Sequence, residues 1–235
     1  MASIYLIRHG QASFGSANYD QLSTLGQRQA DVTGEFLSAI GLKIDAAVAG
    51  TLSRQQETGA RVLAGLGDPC ELQTDRRFNE INNEEQVSAL LPGLIDKDPV
   101  LAEIAGRDFG DSKDYQKIID AVFNAWVSPN CPDCGITPWP VFRDGVQAAL
   151  KDIMTSVGAG KNTAVFTSGG TIATAVGLIV GAHHTGFYQF YEPVMNCSIT
   201  RLIYSSKRVS LSNFNDAAHL QLLSAQRQES LVTYR

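Results

Sequence analysis

Three short polar stretches carry residues whose type and spacing suit the capture of an anion. Arg8-His9-Gly10 directly follows the apolar run Ile4–Ile7. An arginine and a histidine ending a buried strand, with a glycine that lets backbone approach closely, are hard to account for as packing. Ser53-Arg54-Gln55-Gln56-Glu57-Thr58 follows the run Ala46–Ala49. Arg54 falls in the first turn of a helix, where a cation opposes the macrodipole. It costs stability there unless an anion uses it together with the free N–H groups. Thr167-Ser168-Gly169-Gly170 follows the run Thr163–Phe166, and the glycine pair opens a further helix whose first N–H groups can also face an anion.

The elements that must hold these stretches are legible as short apolar runs alternating with helical patterns. Ile4–Ile7, Ala46–Ala49, Thr163–Phe166, Ser198–Tyr204 and Val209–Phe214 read as buried strands. Leu25, Val32, Phe36 and Ile40 recur at helical spacing, with Ser23 as N-cap and Gly41 as stop. A second helix starts at Ser53, where Ser53 and Gln56 form a capping box, and a third runs from Gly169 to about Gly181. The alternation predicts an α/β three-layer sandwich with a mostly parallel sheet. The last two runs, joined by Ser205-Ser206-Lys207, predict a hairpin and hence one antiparallel edge strand. In such sheets ligands bind beyond the carboxyl ends of the strands, where all three polar stretches fall.

Residues 82–140 break this rhythm. Helical patches at Val87–Leu91, Val100–Ile104 and Tyr115–Trp126 precede a Pro/Cys-rich loop. Between Asn82 and Val127 lie the acids Glu84, Glu85, Asp96, Asp98, Glu103, Asp108, Asp111, Asp114 and Asp120 against four bases. This excess equals the net charge of −5 of the whole 235-residue chain, so the remaining core is balanced. One domain over residues 1–235 with an acidic helical insertion at 82–140, set as a lid over the site, is therefore expected. The acidic balance argues against a general nucleic-acid binder and against docking on anionic membrane. Neither the N-terminus nor the apolar segment Ile172–Ala182 has the length of a signal or a membrane span, which predicts a cytoplasmic protein. Cys131 and Cys134 lack a second ligand pair, so reduced thiols in a loop are expected there.

Leu6–Ser13 (LIRHGQAS), Ser53–Gly59 (SRQQETG) and a glutamate near position 80 together resemble the histidine phosphatase superfamily, the phosphoglycerate mutase-like proteins. Leu22–Ala30 is similar to the family's first helix, and Val165–Val176 to its late strand–turn–helix. The likeness spans most of the core and leaves the insertion unmatched.

The resemblance implies phosphoryl transfer through a covalent phosphohistidine. His9 would be the nucleophile, presenting one neutral ring nitrogen while the other N–H is held by a backbone carbonyl. Arg8 and Arg54 would bind the phosphoryl oxygens. Glu80 matches the general acid in position, with Glu84 and Glu85 as rivals, and must carry a raised pKa to serve. Ser168 stands where the family usually has a second histidine. Its hydroxyl and the N–H groups of Gly169 and Gly170 would still meet the phosphate, but the lost charge is expected to cost about 10²–10³ in rate, which a histidine at 168 should restore. Ser168 otherwise reads as a helix N-cap. His183, His184 and His219 read as surface or capping residues.

The resemblance predicts a phosphomonoesterase without cofactor or metal. A catalytically reduced relative that binds a phosphorylated ligand or a protein partner is the alternative. The partners expected are a small phosphorylated substrate or inorganic phosphate, with no nucleic acid and no membrane; a homodimer is a possible assembly. Residue Gly158-Ala159-Gly160-Lys161 precedes a strand and so is no phosphate loop. A serine-hydrolase elbow at Ser168 fails because Phe166 stands where glycine is required.

Overall fold

A computed structural model describes residues 2–13, 20–67, 70–107 and 112–234. Asp108 and Asp111 of the acidic segment lie outside the described residues. Strand β1 (Ala2–Arg8) is apolar on both faces and sits near the centre of a six-stranded sheet. Its neighbours are β2 (Ala46–Ala49), β3 (Leu72–Thr74), β4 (Asn162–Thr167), β5 (Ile199–Tyr204) and β6 (Val209–Asp216), in the order β3-β2-β4-β1-β5-β6. The β1–β4, β4–β2 and β2–β3 pairs are parallel, whereas β5 runs antiparallel to both β1 and β6 in a hairpin at the sheet edge. β3, three residues long, escapes sequence reasoning because so short a run shows no period.

The continuous apolar character of the strands follows from burial on both sides. Tyr5, Ile7, Ala164 and Phe166 face a core closed by α1 (Thr24–Ala39), α2 (Ser53–Gly65) and α9 (Ala218–Arg227). Ile4, Leu6 and Val165 face a second core closed by α6 (Trp139–Ser156) and α7 (Gly169–Val180). These are the three layers. Neither α6 nor α9 was expected, although Trp139, Phe142, Val146, Ala149, Leu150 and Ile153 keep helical spacing. Ser23 caps α1 by accepting from the Gly26 N–H, and Gly181 ends α7 at φ +75°, both as anticipated.

Among the described residues of the 82–140 segment lie α3 (Asn83–Ile95), α4 (Pro99–Ala105) and α5 (Ser112–Trp126). They share a third core with α8 (Tyr188–Tyr191), built on Phe123, Trp126, Trp139 and Phe187. No helix among the described residues is long and apolar enough to cross a membrane.

Register brings the polar stretches together. Arg8 pairs with Thr167 across β1 and β4, and Ala49 of β2 pairs with Phe166. The His9 N–H donates to the Thr167 carbonyl at 2.8 Å, and the Gly50 N–H to the Phe166 carbonyl at 3.1 Å. The carboxyl ends of three adjacent parallel strands therefore open on one crevice, at the point where strand order reverses.

Candidate active site

His9 lies at the centre of this crevice, 5 % exposed. Its backbone is fixed on both sides: the N–H by Thr167, and the carbonyl by the Asn196 Nδ2–H at 3.0 Å. Gly10 follows because α1 approaches at backbone distance; a Cβ there would sit 2.3 Å from the Gly26 carbonyl oxygen. The His9 ring donates from Nδ1 to the Gly10 carbonyl at 2.7 Å and accepts at Nε2 from the Arg54 Nε–H at 3.2 Å. These two bonds select the tautomer protonated on Nδ1, leaving a lone pair on Nε2. Burial, reinforced by the charges of Arg8 and Arg54, holds the His9 pKa well below its ordinary 6.5. The ring is neutral at physiological pH.

Arg54 and Arg8 flank the ring. Arg54 is buried in the first turn of α2, and its Nη1 pairs with Asp20 Oδ1 at 2.6 Å. The same carboxylate accepts from the Ser53 N–H at 2.8 Å through Oδ2. Asp20 thus supplies the negative charge that the cationic helix start demands. This corrects the expected capping box: Leu52, not Ser53, is the N-cap, and its side chain makes no cap. Arg8 Nη1 donates to the carbonyls of Val194 and Tyr234, the latter at 2.8 Å. These carbonyl acceptors orient the guanidinium.

Glu80 enters from the turn after Arg76–Phe78. Its Oε1 accepts from the N–H groups of Ile81 and Gly170, both at 2.9 Å. Burial raises its pKa above the ordinary 4.5, with Arg8 foremost among the groups that oppose the rise. A Cβ on Gly170 would lie 2.5 Å from Oε1, so glycine is what allows the carboxyl to reach this helix start. The Gly170 N–H, expected to be available to an anion, is committed to Glu80. Glu84 and Glu85 are exposed in the first turn of α3, away from this contact.

Ser168 is the N-cap residue of α7 by position, but its hydroxyl caps nothing; Oγ accepts instead from the Gln55 Nε2–H at 2.8 Å. The expected capping role is replaced by a contact across 113 residues of sequence. Gly169 packs against the ring of Tyr191, where an added Cβ would come within 3.2 Å. The Tyr191 hydroxyl accepts from Asn83 Nδ2 at 2.8 Å, and burial pushes its pKa up.

The remaining histidines stand apart. His219 stacks on Phe36 with ring centroids 4.9 Å apart and bonds Thr33 Oγ1 at 3.0 Å, inside the core under α9. His183 and His184 line a cavity of about 830 Å³ beyond the far end of α7, together with Trp126, Cys131 and Cys134. Asp20, Gln55 and Tyr191 are the site residues that sequence reasoning missed. Only Gln55, adjacent to Arg54, had a local cue.

Residues 4–88 match the model of the histidine phosphatase superfamily (branch 1). The serine/threonine-protein phosphatase PGAM5, mitochondrial, of Xenopus tropicalis is 35% identical over 96 residues, 39% of this chain and 34% of that protein. The 2,3-bisphosphoglycerate-dependent phosphoglycerate mutase of Brucella ovis is 35% identical over 85 residues, 33% of this chain and 41% of that protein. The matched region spans about a third of the length of these curated relatives. In fold, the chain is similar to phosphoserine phosphatase from Entamoeba histolytica, solved in complex with 3-phosphoglyceric acid: TM-score 0.64, 19% identity, 94% of this chain and 100% of that one. Phosphoglycerate mutase from Bacillus anthracis str. Sterne aligns at TM-score 0.65 and 17% identity over 97% of each chain. Over residues 4–88 the chain is therefore similar to the histidine phosphatase superfamily, and its strand order gathers Arg8, His9 and Arg54 into one crevice.

Proposed function

We propose that the protein is a phosphoric monoester hydrolase that works through a phosphohistidine on His9. The observation that carries this reading is the state of the ring: Nδ1 donates to a carbonyl, Nε2 keeps its lone pair, and two arginines flank it. Nε2 attacks phosphorus as the ester oxygen departs. Arg8 and Arg54 bind the non-bridging oxygens and favour the charge-rich transition state, with Arg54 turning from His9 and Asp20 toward the phosphoryl group. Glu80, its pKa raised by burial, gives its proton to the leaving alkoxide. Water then attacks the phosphohistidine, its proton passing to the Glu80 carboxylate, and inorganic phosphate leaves. Ser168 and Gly169 complete the phosphate site, Ser168 with one neutral hydrogen bond where the family has a second histidine.

Residues 82–140 are proposed to cover the crevice and select the substrate. Their acidity, with Arg8 and Arg54 as the arginines at the site among the described residues, favours a small monophosphate over a polyphosphorylated compound, which would be repelled on approach. The Entamoeba histolytica phosphatase, solved with 3-phosphoglyceric acid, supports a small phosphorylated ligand. The alternative is a catalytically reduced relative that only binds a phosphorylated ligand or a protein partner. Ser168, neutral and already bonded to Gln55, is the observation that favours it.

Hydrolysis of an aryl phosphate by wild type and His9→Ala separates the two. The hydrolase reading expects turnover in wild type and a loss of at least about 10³ in His9→Ala. Equal background rates would leave the binding reading standing.

A further inference from the structure

We propose that Gln55 is a positioning residue that turns Ser168 into a directed hydrogen-bond donor, and that the two residues form an exchangeable unit. This rests on the hydrolase reading above. Gln55 and Ser168 are both fully buried. Gln55 Nε2 donates to the Phe78 carbonyl at 3.0 Å and to Ser168 Oγ at 2.8 Å, and its Oε1 accepts from the Leu52 N–H at 3.4 Å. Both amide protons are therefore committed, and Gln55 has no donor left to offer a ligand. A serine hydroxyl carries one proton. With its acceptor side taken by Gln55, that proton must point away from Gln55.

The surroundings of Ser168 say where it points. The preceding carbonyl, of Thr167, holds the His9 N–H, and a Cβ on the following Gly169 would lie 3.8 Å from Arg8 Nε. Gln55 itself follows Arg54, whose Nε touches His9. Ser168 thus sits among the three residues that frame the phosphoryl position, and its oxygen accepts from Gln55 rather than from a backbone N–H of α7. Room for the glutamine is built in at a further residue: a Cβ on Gly50 would fall 1.9 Å from Gln55 Oε1.

The same contact closes position 168 to a larger side chain. In the rotamer that Ser168 holds, an imidazole would extend past Oγ into the space held by the Gln55 amide 2.8 Å away. A single Ser168→His exchange, expected from sequence to raise turnover, is therefore blocked. The histidine fits only when Gln55 is reduced to a small residue.

The test is a double-mutant cycle on wild type, Gln55→Ala, Ser168→Ala and the double variant. Aryl phosphate kinetics, inorganic phosphate affinity and thermal unfolding are measured on each. Gln55→Ala and Ser168→Ala are each expected to lower kcat about tenfold to a hundredfold with little change in KM, and the double variant to be no worse than Ser168→Ala within about twofold. Losses that multiply would overturn the proposal, because Gln55 would then act independently of Ser168. If Gln55→Ala unfolds, Gln55→Met keeps the bulk without the donors and is read by the same criterion.

The companion arm compares Ser168→His with Ser168→His/Gln55→Ala. The single variant should fall below wild type. The pair should recover at least to wild type, with a pH profile of kcat that differs from wild type because a second imidazole now titrates in the site. An active single variant that gains nothing from Gln55→Ala contradicts the exchangeable unit. Should wild type show no turnover, the hydrolase reading fails by itself. The cycle is then decided on phosphate affinity: a single shared loss of about tenfold supports the pair, and two multiplying losses refute it.

Discussion

Arg54 Nε–H donates to His9 Nε2 at 3.2 Å, so the proposed nucleophilic atom is held by the same guanidinium that would bind its substrate. The contact keeps the lone pair of His9 directed into the crevice and resists protonation. It must break when a phosphoryl group arrives, since Nε2 cannot accept a hydrogen bond and attack phosphorus at once. Arg54→Lys keeps a charge but loses the planar fork. It should lower kcat/KM by about 10² and move the acidic limb of the pH profile upward, as the imidazole becomes easier to protonate. An unchanged limb would mean that Arg54 does not govern the ring.

The pH dependence follows from two opposed shifts. His9 is held below 6.5 chiefly by burial, so its neutral form persists into mildly acidic solution. Glu80 is pushed above 4.5, also chiefly by burial, so its protonated form persists upward. A reaction needing neutral His9 and protonated Glu80 should show a bell in kcat/KM, with His9 setting the acidic limb and Glu80 the alkaline limb. Glu80→Gln should abolish the alkaline limb and cost about 10²–10⁴ in rate with a poor leaving group. An alkaline limb that survives unchanged in Glu80→Gln would contradict the assignment of Glu80.

Asp20 pairs with Arg54 and accepts from the Ser53 N–H, the two groups that would also meet an anion at this helix start. Asp20→Asn removes its charge at nearly constant size. Inorganic phosphate should then inhibit about fivefold to tenfold more tightly, because Arg54 is released. Thermal stability should drop by roughly 1 kcal/mol from the weakened helix start. Weaker phosphate inhibition would show instead that Asp20 holds Arg54 in its productive place.

His219 provides a stability test remote from chemistry. Burial pushes its pKa down to about 4, against 6.5 when unfolded. Between those values the unfolded chain binds more protons, so stability falls as pH falls from 6.5 toward 4. The loss from this residue should reach roughly 2 kcal/mol near pH 4.5. His219→Phe can keep the stack on Phe36 while removing the titration. Its unfolding free energy should change less between about pH 7 and pH 4.5 than that of wild type. Parallel curves would mean that His219 does not titrate in this range.

What could be read from residue order was what short-range physics determines. Apolar runs ending in Arg8 or Thr167, the Ser23 cap and the Gly181 stop each depend on neighbours a few residues away. Position favours Glu80 over Glu84, but the contact of Glu80 with Gly170, 90 residues on, leaves no local trace. The Asp20–Arg54 pair and the Gln55–Ser168 bond are likewise long-range, 34 and 113 residues apart, and leave no periodic trace. Helix α6 is the exception: its apolar spacing was present, but Trp139-Pro140 at its start resembled the end of a loop. Proline is in fact well suited to a first helical turn.

The central claim is that His9 carries the phosphoryl group, and trapping that group tests it most directly. Rapid acid-free quenching of wild type during turnover of a labelled aryl phosphate, followed by peptide mapping, should place one acid-labile, alkali-stable phosphoryl group on His9. It should be absent in His9→Ala and should accumulate in Glu80→Gln, where water is no longer activated. Turnover with no phosphoenzyme on His9, or the same labelling in His9→Ala, would contradict the account.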